Sequence, residues 1–178
     1  MPAPISDPLY IKNKEAYFIE IAKTLAKASS HPVAPSGCII VRDREIIGDG
    51  RGILTGSKIE IDCISVAIGA SSKRGTPTVG ATIYSTRYPF TTPVFQCYQM
   101  GISKIVVLAH EWEPFYKDEF RRAARLSHEL QISIETYFDT QDERFGGAPQ
   151  SPKNNPFQTD DYDPQHANDI PFEDAASL

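Results

Sequence analysis

Thiols, imidazoles and carboxylates are the groups that could hold a metal or attack an electrophile, and along these 178 residues the first two do not gather. Cys38, Cys63 and Cys97 stand 25 and 34 residues apart, with no Cys-x-x-Cys pair. That spacing fits neither a structural zinc site nor a disulfide framework. His31, His110, His128 and His166 are isolated from one another. Cys63 follows Asp62 at an expected helix start, where a thiol pKa can fall, but no partner base is evident beside it. It reads as a small core residue, as do Cys38 and Cys97 on their apolar stretches. The basic groups offer a different chemistry. Arg121 and Arg125 are one helical turn apart, and with Arg122, Lys117 and His128 they give one helix a basic outer face. Such a face is ordinarily just solvated; where it is used, it meets phosphate.

The elements that must position these residues follow from periodicity. Ser6 or Asp7 before Pro8 is a plausible helix start, and Phe18, Ile21, Ala22, Leu25 and Ala26 recur at helical spacing. "CIIV" (38–41) and "REII" (44–47) flank Asp43 as a β-hairpin, and "GDGRGILTG" reads as a Gly-rich connection. Residues 62–73 predict a second helix with Asp62 as its N-cap. "ATIYST" (81–86) is a strand. Residues 92–100 are a third helix, with Pro93 at its start and Gly101 at its end. "KIVVLA" (104–109) is a strand, 113–131 a long helix with Tyr116, Phe120, Ala123, Ala124 and Leu130 inward, and "ISIETYF" (132–138) a last strand. The order α-ββ-α-β-α-β-α-β predicts an α/β fold, a mixed five-stranded sheet in a three-layer α/β/α sandwich.

Charge divides the chain. Of the 18 Lys+Arg and 23 Asp+Glu, residues 145–178 hold Lys153 alone against Asp160, Asp161, Asp163, Asp169, Glu173 and Asp174. The net charge of −5 therefore lies entirely in that stretch, and the body is neutral. The stretch is rich in Pro, Asn, Gln and Asp, too poor in aliphatics to offset the entropy of ordering. The expected organisation is a domain over 1–140 and a disordered acidic tail over 141–178. No apolar run reaches the ~20 residues of a membrane span. Cysteine usage suits a reducing cytoplasm.

The element order and the stretch "YSTRYPFTTPVFQCYQMGISKIVV" (84–107) resemble the cytidine deaminase fold, in its deoxycytidylate deaminase branch, over roughly residues 14–138. In that family a His and two Cys bind zinc, and a Glu shuttles protons while metal-bound hydroxide attacks the base. The matching positions here carry Asp62 for the His, Ile64 for the Glu, and Phe90 and Pro93 for the two Cys. The family's Gly-Tyr-Asn segment before helix two corresponds to Gly50, Arg51 and Gly52. One carboxylate cannot hold the ion, and Ile64 can neither give nor take a proton. The resemblance thus implies the fold without zinc, cofactor or deamination. It also implies a readiness to form homo-oligomers.

Near the mouth that corresponds to the family's nucleotide site, Arg51, Lys58, Lys73, Arg74 and Arg87 add basic groups, with Arg121, Arg122 and Arg125 as a second strip. Tyr88, Phe90 and Phe95 could supply stacking faces, as in single-strand binders, although Phe95 reads better as core. The tail resembles that of bacterial single-stranded-DNA-binding proteins through Asp169-Ile170-Pro171-Phe172, although six residues follow Phe172. The expected function is a non-catalytic protein of DNA metabolism that binds single-stranded DNA or a nucleotide, its tail recruiting replication or repair proteins. The alternatives are an inactive regulatory subunit of an active deaminase and an interaction protein unrelated to nucleic acid. Small size and a degraded motif suit a viral or mobile-element protein in a host cytoplasm.

Overall fold

The computed structural model describes residues 13–109 and 116–139. The expected helix start at Ser6 or Asp7, the first residues of the 113–131 helix, and the whole tail with Asp169, Ile170, Pro171 and Phe172 lie outside the described residues.

Helix α1 (Lys14–Ala26) begins at Asn13, whose side chain accepts the Ala16 N–H. Strands β1 (Gly37–Arg42) and β2 (Glu45–Arg51) form the expected hairpin. The connection after it departs from expectation. It contains a small two-stranded ribbon, β3 (Ile53–Leu54) and β4 (Glu60–Ile61). Two-residue strands carry too little periodicity to be read from sequence. Helix α2 (Cys63–Lys73) starts where Asp62 caps it, the carboxylate accepting the Ile64 N–H at 2.8 Å. Then come β5 (Thr82–Ser85), α3 (Thr91–Gln99), β6 (Lys104–Leu108), α4 (Lys117–Glu129) and β7 (Ser133–Tyr137). Gly101 ends α3 at φ +68°, a conformation glycine adopts without a Cβ penalty.

The five long strands make one mixed sheet in the order β2-β1-β5-β6-β7. β1 runs antiparallel to β2 and β5, while β5, β6 and β7 are parallel. Alternation along β1 sorts the core. Cys38 and Ile40 join α2, α3 and α4 on one face, and Ile39 and Val41 join α1 on the other. Two helix layers around one sheet make the α/β/α sandwich that periodicity predicts. β2 and α2 approach closely at Gly50, where an added Cβ would stand 2.6 Å from the Ala67 nitrogen and nearer still to the Cys63 carbonyl oxygen. Among the described residues no helix is long and apolar enough to cross a membrane.

Candidate functional site

The carboxyl ends of parallel strands are where α/β sheets ordinarily leave a crevice, because the chain turns away there into helices. Here β5 ends at Ser85, and Arg87, Tyr88 and Phe90 follow it into α3. The starts of α2, α3 and α4 and strand β4 surround a cleft of about 440 Å³. Phe90 and Tyr116 form its aromatic walls, and Glu60, Asp62 and Glu119 bring three carboxylates to it.

Arg87, buried beside the cleft, ties together two of the carboxylates that line it. Its side chain is 6% exposed, and Nη2 lies 2.5 Å from Glu60 Oε1 and 3.5 Å from Asp62 Oδ2. The guanidinium carbon sits 4.7 Å from the Phe90 ring centre and 5.3 Å from that of Tyr116. A planar, weakly hydrated cation suits this place between rings and carboxylates better than an ammonium would. Burial disfavours its charge, and Asp62 and Glu60 outweigh that, so the guanidinium is held above its ordinary range. Its Nε has no hydrogen-bond partner among the described residues. Burial pushes the Asp62 carboxyl up despite Arg87 and the Ile64 N–H.

The other carboxylates act as latches. Glu60 Oε2 accepts the Tyr116 hydroxyl at 2.6 Å, tying β4 to the approach of α4, and His31 Nε2 stands 3.7 Å from the same oxygen. His31 Nδ1 accepts the Ala34 N–H at 2.9 Å. Glu119 Oε1 accepts the Thr91 N–H and hydroxyl at 2.9 and 2.6 Å, and thereby caps α3 from α4. Its Oε2 accepts Arg122 Nη2 at 2.7 Å. Burial raises the Glu119 carboxyl, but the hydrogen bonds from Thr91, with Arg122, outweigh it and hold the group below its usual range.

The four positions that match the deaminase motif do come together. Asp62 and Ile64 open α2, Phe90 is the residue before α3, and Pro93 lies in its first turn. They do not fit a zinc ion. Asp62 is committed to a cap and to a guanidinium, and Ile64 is fully buried in the core. Phe90 packs beside Phe120 at 5.7 Å between ring centres. A fixed positive charge, that of Arg87, lies among these side chains. No group of three His, Cys, Asp or Glu side chains that could hold a metal occurs among the described residues.

The residues expected to meet nucleic acid are not one surface. Arg87 is buried in ion pairs, and Tyr88 is 5% exposed with its ring edge against Phe120, so neither is presented to a strand. Both read as accessible in sequence because a Tyr-Pro turn ordinarily lies on the surface. Lys73 and Arg74 stand at the far end of α2, whose 11 residues separate them from the cleft by about 15 Å of helix. Arg74 is spent on the Ile47 carbonyl at 2.9 Å and faces Asp49 at 3.7 Å. Arg121 pairs with Asp118 at 3.1 Å, and Arg122 with Glu119. Arg51, Lys58 and Arg125 are exposed and make no ion pair among the described residues. Phe95 is 46% exposed and stacks on Tyr98, 54% exposed, with ring centres 6.3 Å apart. It is not core: α3 turns this side outward, which its pattern of one apolar residue per turn did not settle. Sequence reasoning passed over Glu60 and Glu119. Glu119, in the first turn of α4, carried a generic helix-start signal, and Glu60 carried none.

No family model and no curated protein matches the sequence. Solved structures do match the fold. The dCMP deaminase of cyanophage S-TIM5, in complex with dCMP and dUMP, is 16% identical with a TM-score of 0.60, covering 72% of this chain and all of that one. The diaminohydroxyphosphoribosylaminopyrimidine deaminase/reductase of Thermotoga maritima is 21% identical at a TM-score of 0.58, covering 69% of this chain and 36% of that one. A tRNA:A34 deaminase is 16% identical at 0.53, covering 71% and 100%. The fold is cytidine deaminase-like.

Proposed function

We propose that this chain is a non-catalytic, deaminase-fold protein of DNA metabolism that receives an unpaired base of single-stranded DNA, or a nucleotide, in the cleft. One observation carries the reading. The cleft keeps a base-sized space with two aromatic walls and three carboxylates, while Ile64 and the Arg87 guanidinium stand among the positions that would hold the chemistry. Stacking on Phe90 and Tyr116 favours any base, because every base has a π-face. Carboxylates accept from base N–H groups, the N3–H of thymine as well as exocyclic amines. They also repel phosphate, so the backbone of the strand belongs on the rim, within reach of exposed Arg51 and Lys58 on the β2 and β3–β4 side and Arg125 on α4. The acidic tail, through Ile170 and Phe172, is the proposed contact for replication or repair proteins.

Full-length protein with labelled oligo-dT of about 30 nucleotides, followed by fluorescence anisotropy at ~20 mM salt, tests this. Binding should weaken with salt, and the Arg51→Ala/Lys58→Ala variant should bind less and show a flatter salt slope. No binding by the wild type at that salt overturns the reading. The purified wild type should carry no stoichiometric zinc by elemental analysis; about one zinc per chain would defeat the non-catalytic assignment.

The stacked, exposed Phe95 and Tyr98 favour a second reading, an inactive subunit that joins an active deaminase through α3. Aromatics exposed this way are typical of partner surfaces. Co-purification with an active deaminase, lost in Phe95→Ala/Tyr98→Ala, supports it; failure of that pair to associate removes it.

A further inference from the structure

The cleft is rich in acceptors and short of donors. Its polar lining is Glu60, Asp62, Ser65, Thr92, Tyr116 and Glu119, and no lysine or arginine lines it. The Tyr116 hydroxyl is spent on Glu60 at 2.6 Å, and the Ser65 hydroxyl on Gln96 Oε1 at 2.7 Å. Thr92 is exposed, and its hydroxyl makes no hydrogen bond among the described residues. A ligand carbonyl turned toward three carboxylates finds almost no proton there, and an unpaired acceptor costs about as much as a lost hydrogen bond. Such a lining sorts bases by the donors they carry.

The three carboxylates differ in what they have left to offer. An ionised carboxylate accepts about four hydrogen bonds, two on each oxygen. Glu119 is full, with the Thr91 N–H and hydroxyl on one oxygen and Arg122 Nε and Nη2 on the other. Asp62 is 3% exposed at its side chain and out of reach. Glu60 is 19% exposed, and each of its oxygens holds one partner, Arg87 Nη2 on Oε1 and the Tyr116 hydroxyl on Oε2. His31 Nε2, 3.7 Å from Oε2, is beyond hydrogen-bond distance. One lone pair therefore stays open on each Glu60 oxygen. The two existing bonds hold the carboxylate in place before a ligand arrives, which lowers the ordering cost of binding.

Two parallel acceptors match two adjacent donors, the same fork geometry by which a guanidinium meets a carboxylate. A base outside the stack is read on its pairing edge. Thymine presents one N–H there between two carbonyls. Cytosine and adenine each present one amine beside ring or carbonyl acceptors. Guanine alone presents two neighbouring donors, N1–H and the N2 amine, with a single carbonyl, O6. We infer that the cleft, read as a base site as proposed above, selects guanine: Glu60 accepts N1–H and the N2 amine together, and the Thr92 hydroxyl is the donor left for O6. The base is neutral, so the Arg87 charge beside Glu60 does not oppose it.

The test is a titration of full-length, 15N-labelled protein with trinucleotides that differ only in the central base, flanked by thymidines and without terminal phosphate. The central bases are guanine, thymine, cytosine and hypoxanthine, which is guanine without the N2 amine. The guanine trinucleotide should saturate shifts at the Glu60, Ser65 and Thr92 amides at about tenfold lower concentration than the thymine or cytosine one, the scale of a bidentate base contact. Hypoxanthine should lose most of that gain. Swapping the base rather than Glu60 leaves the Arg87 pair intact, so no fold defect enters the comparison. Thr92→Val, at an exposed position, should weaken guanine by about threefold and leave thymine unchanged. Equal affinity for guanine and thymine, or for guanine and hypoxanthine, overturns the selection and leaves the base site standing. Acetyl-arginine amide saturating the same shifts as tightly as guanine would make this an organic-cation site and overturn both. No shift in the cleft from any trinucleotide overturns the selection, and if oligo-dT also fails to bind, the reading beneath it falls as well.

Discussion

Replacing Arg87 by Met is the perturbation that the cleft makes most informative. The methionine keeps much of the buried stem but removes the charge between Glu60 at 2.5 Å and Asp62 at 3.5 Å. Two carboxylates, 19% and 3% exposed at their side chains, would then face one another without a cation. Breaking one partner out of a buried ion pair costs about 3–5 kcal/mol, against a whole-domain stability of only ~5–15 kcal/mol. The cost should depend on pH. Burial already raises the folded-state pKa of Asp62, so its ionised form is the disfavoured one, and stability falls as pH rises through that pKa. Without Arg87 the raised pKa climbs further, and the fall becomes larger. The gap between wild type and Arg87→Met should therefore be widest at neutral pH and narrow in acid, once Asp62 is protonated in the folded state. Groups such as Glu119 titrate in both proteins and cancel in the difference. Urea denaturation of both proteins at pH 7 and at about pH 4.5 measures this. The triple change Arg87→Met/Glu60→Gln/Asp62→Asn should recover most of the loss at pH 7, because no buried charge is left unpaired and Asn still caps α2. A gap below about 1 kcal/mol at pH 7, or one that does not change with pH, would refute the buried-pair reasoning.

Gly50→Ala should destabilise by about 1–3 kcal/mol in the same assay, since its Cβ would press on the α2 backbone at Cys63 and Ala67; an unchanged midpoint would mean that β2 and α2 can separate freely. Glu119→Ala removes the side-chain cap of α3 from α4 and should cost about 1 kcal/mol, as lost caps do. The Glu119 pKa is lowered in the folded state, so its contribution is present above the unfolded pKa and is lost as pH falls through the folded value. The variant and the wild type should thus converge in acid, which the pH series of midpoints checks. Removing residues 145–178, which carry the whole net charge of −5, should tighten oligo-dT binding, most at low salt where the Debye length is long; equal affinity with and without them at ~20 mM salt would show that the tail does not compete for the strand.

By itself the sequence determined the order of the long elements. Apolar periodicity is local physics: a strand that alternates and a helix that repeats every three to four residues must each turn one side inward, whatever the neighbours are. Asp62 as an N-cap and Gly101 as a helix stop are equally local, and both stand where their chemistry predicts. The substitutions at Asp62, Ile64, Phe90 and Pro93 were legible for the same reason, since they occupy fixed offsets from helix starts. Tertiary structure alone decided what those positions became. Whether Arg87 meets solvent or two carboxylates depends on Glu60 in β4, 27 residues earlier and in a strand only two residues long, so Arg87 and Tyr88 looked available and are buried. Phe95 looked buried and is exposed, because which face of a short helix is covered depends on where α2 and α4 lie. Glu60 and Glu119 acquire their roles only through Arg87, Tyr116 and Thr91, partners that lie 27, 56 and 28 residues away from them in sequence. Charge and burial are properties of neighbours, and here the neighbours are brought together by the sheet rather than by the chain.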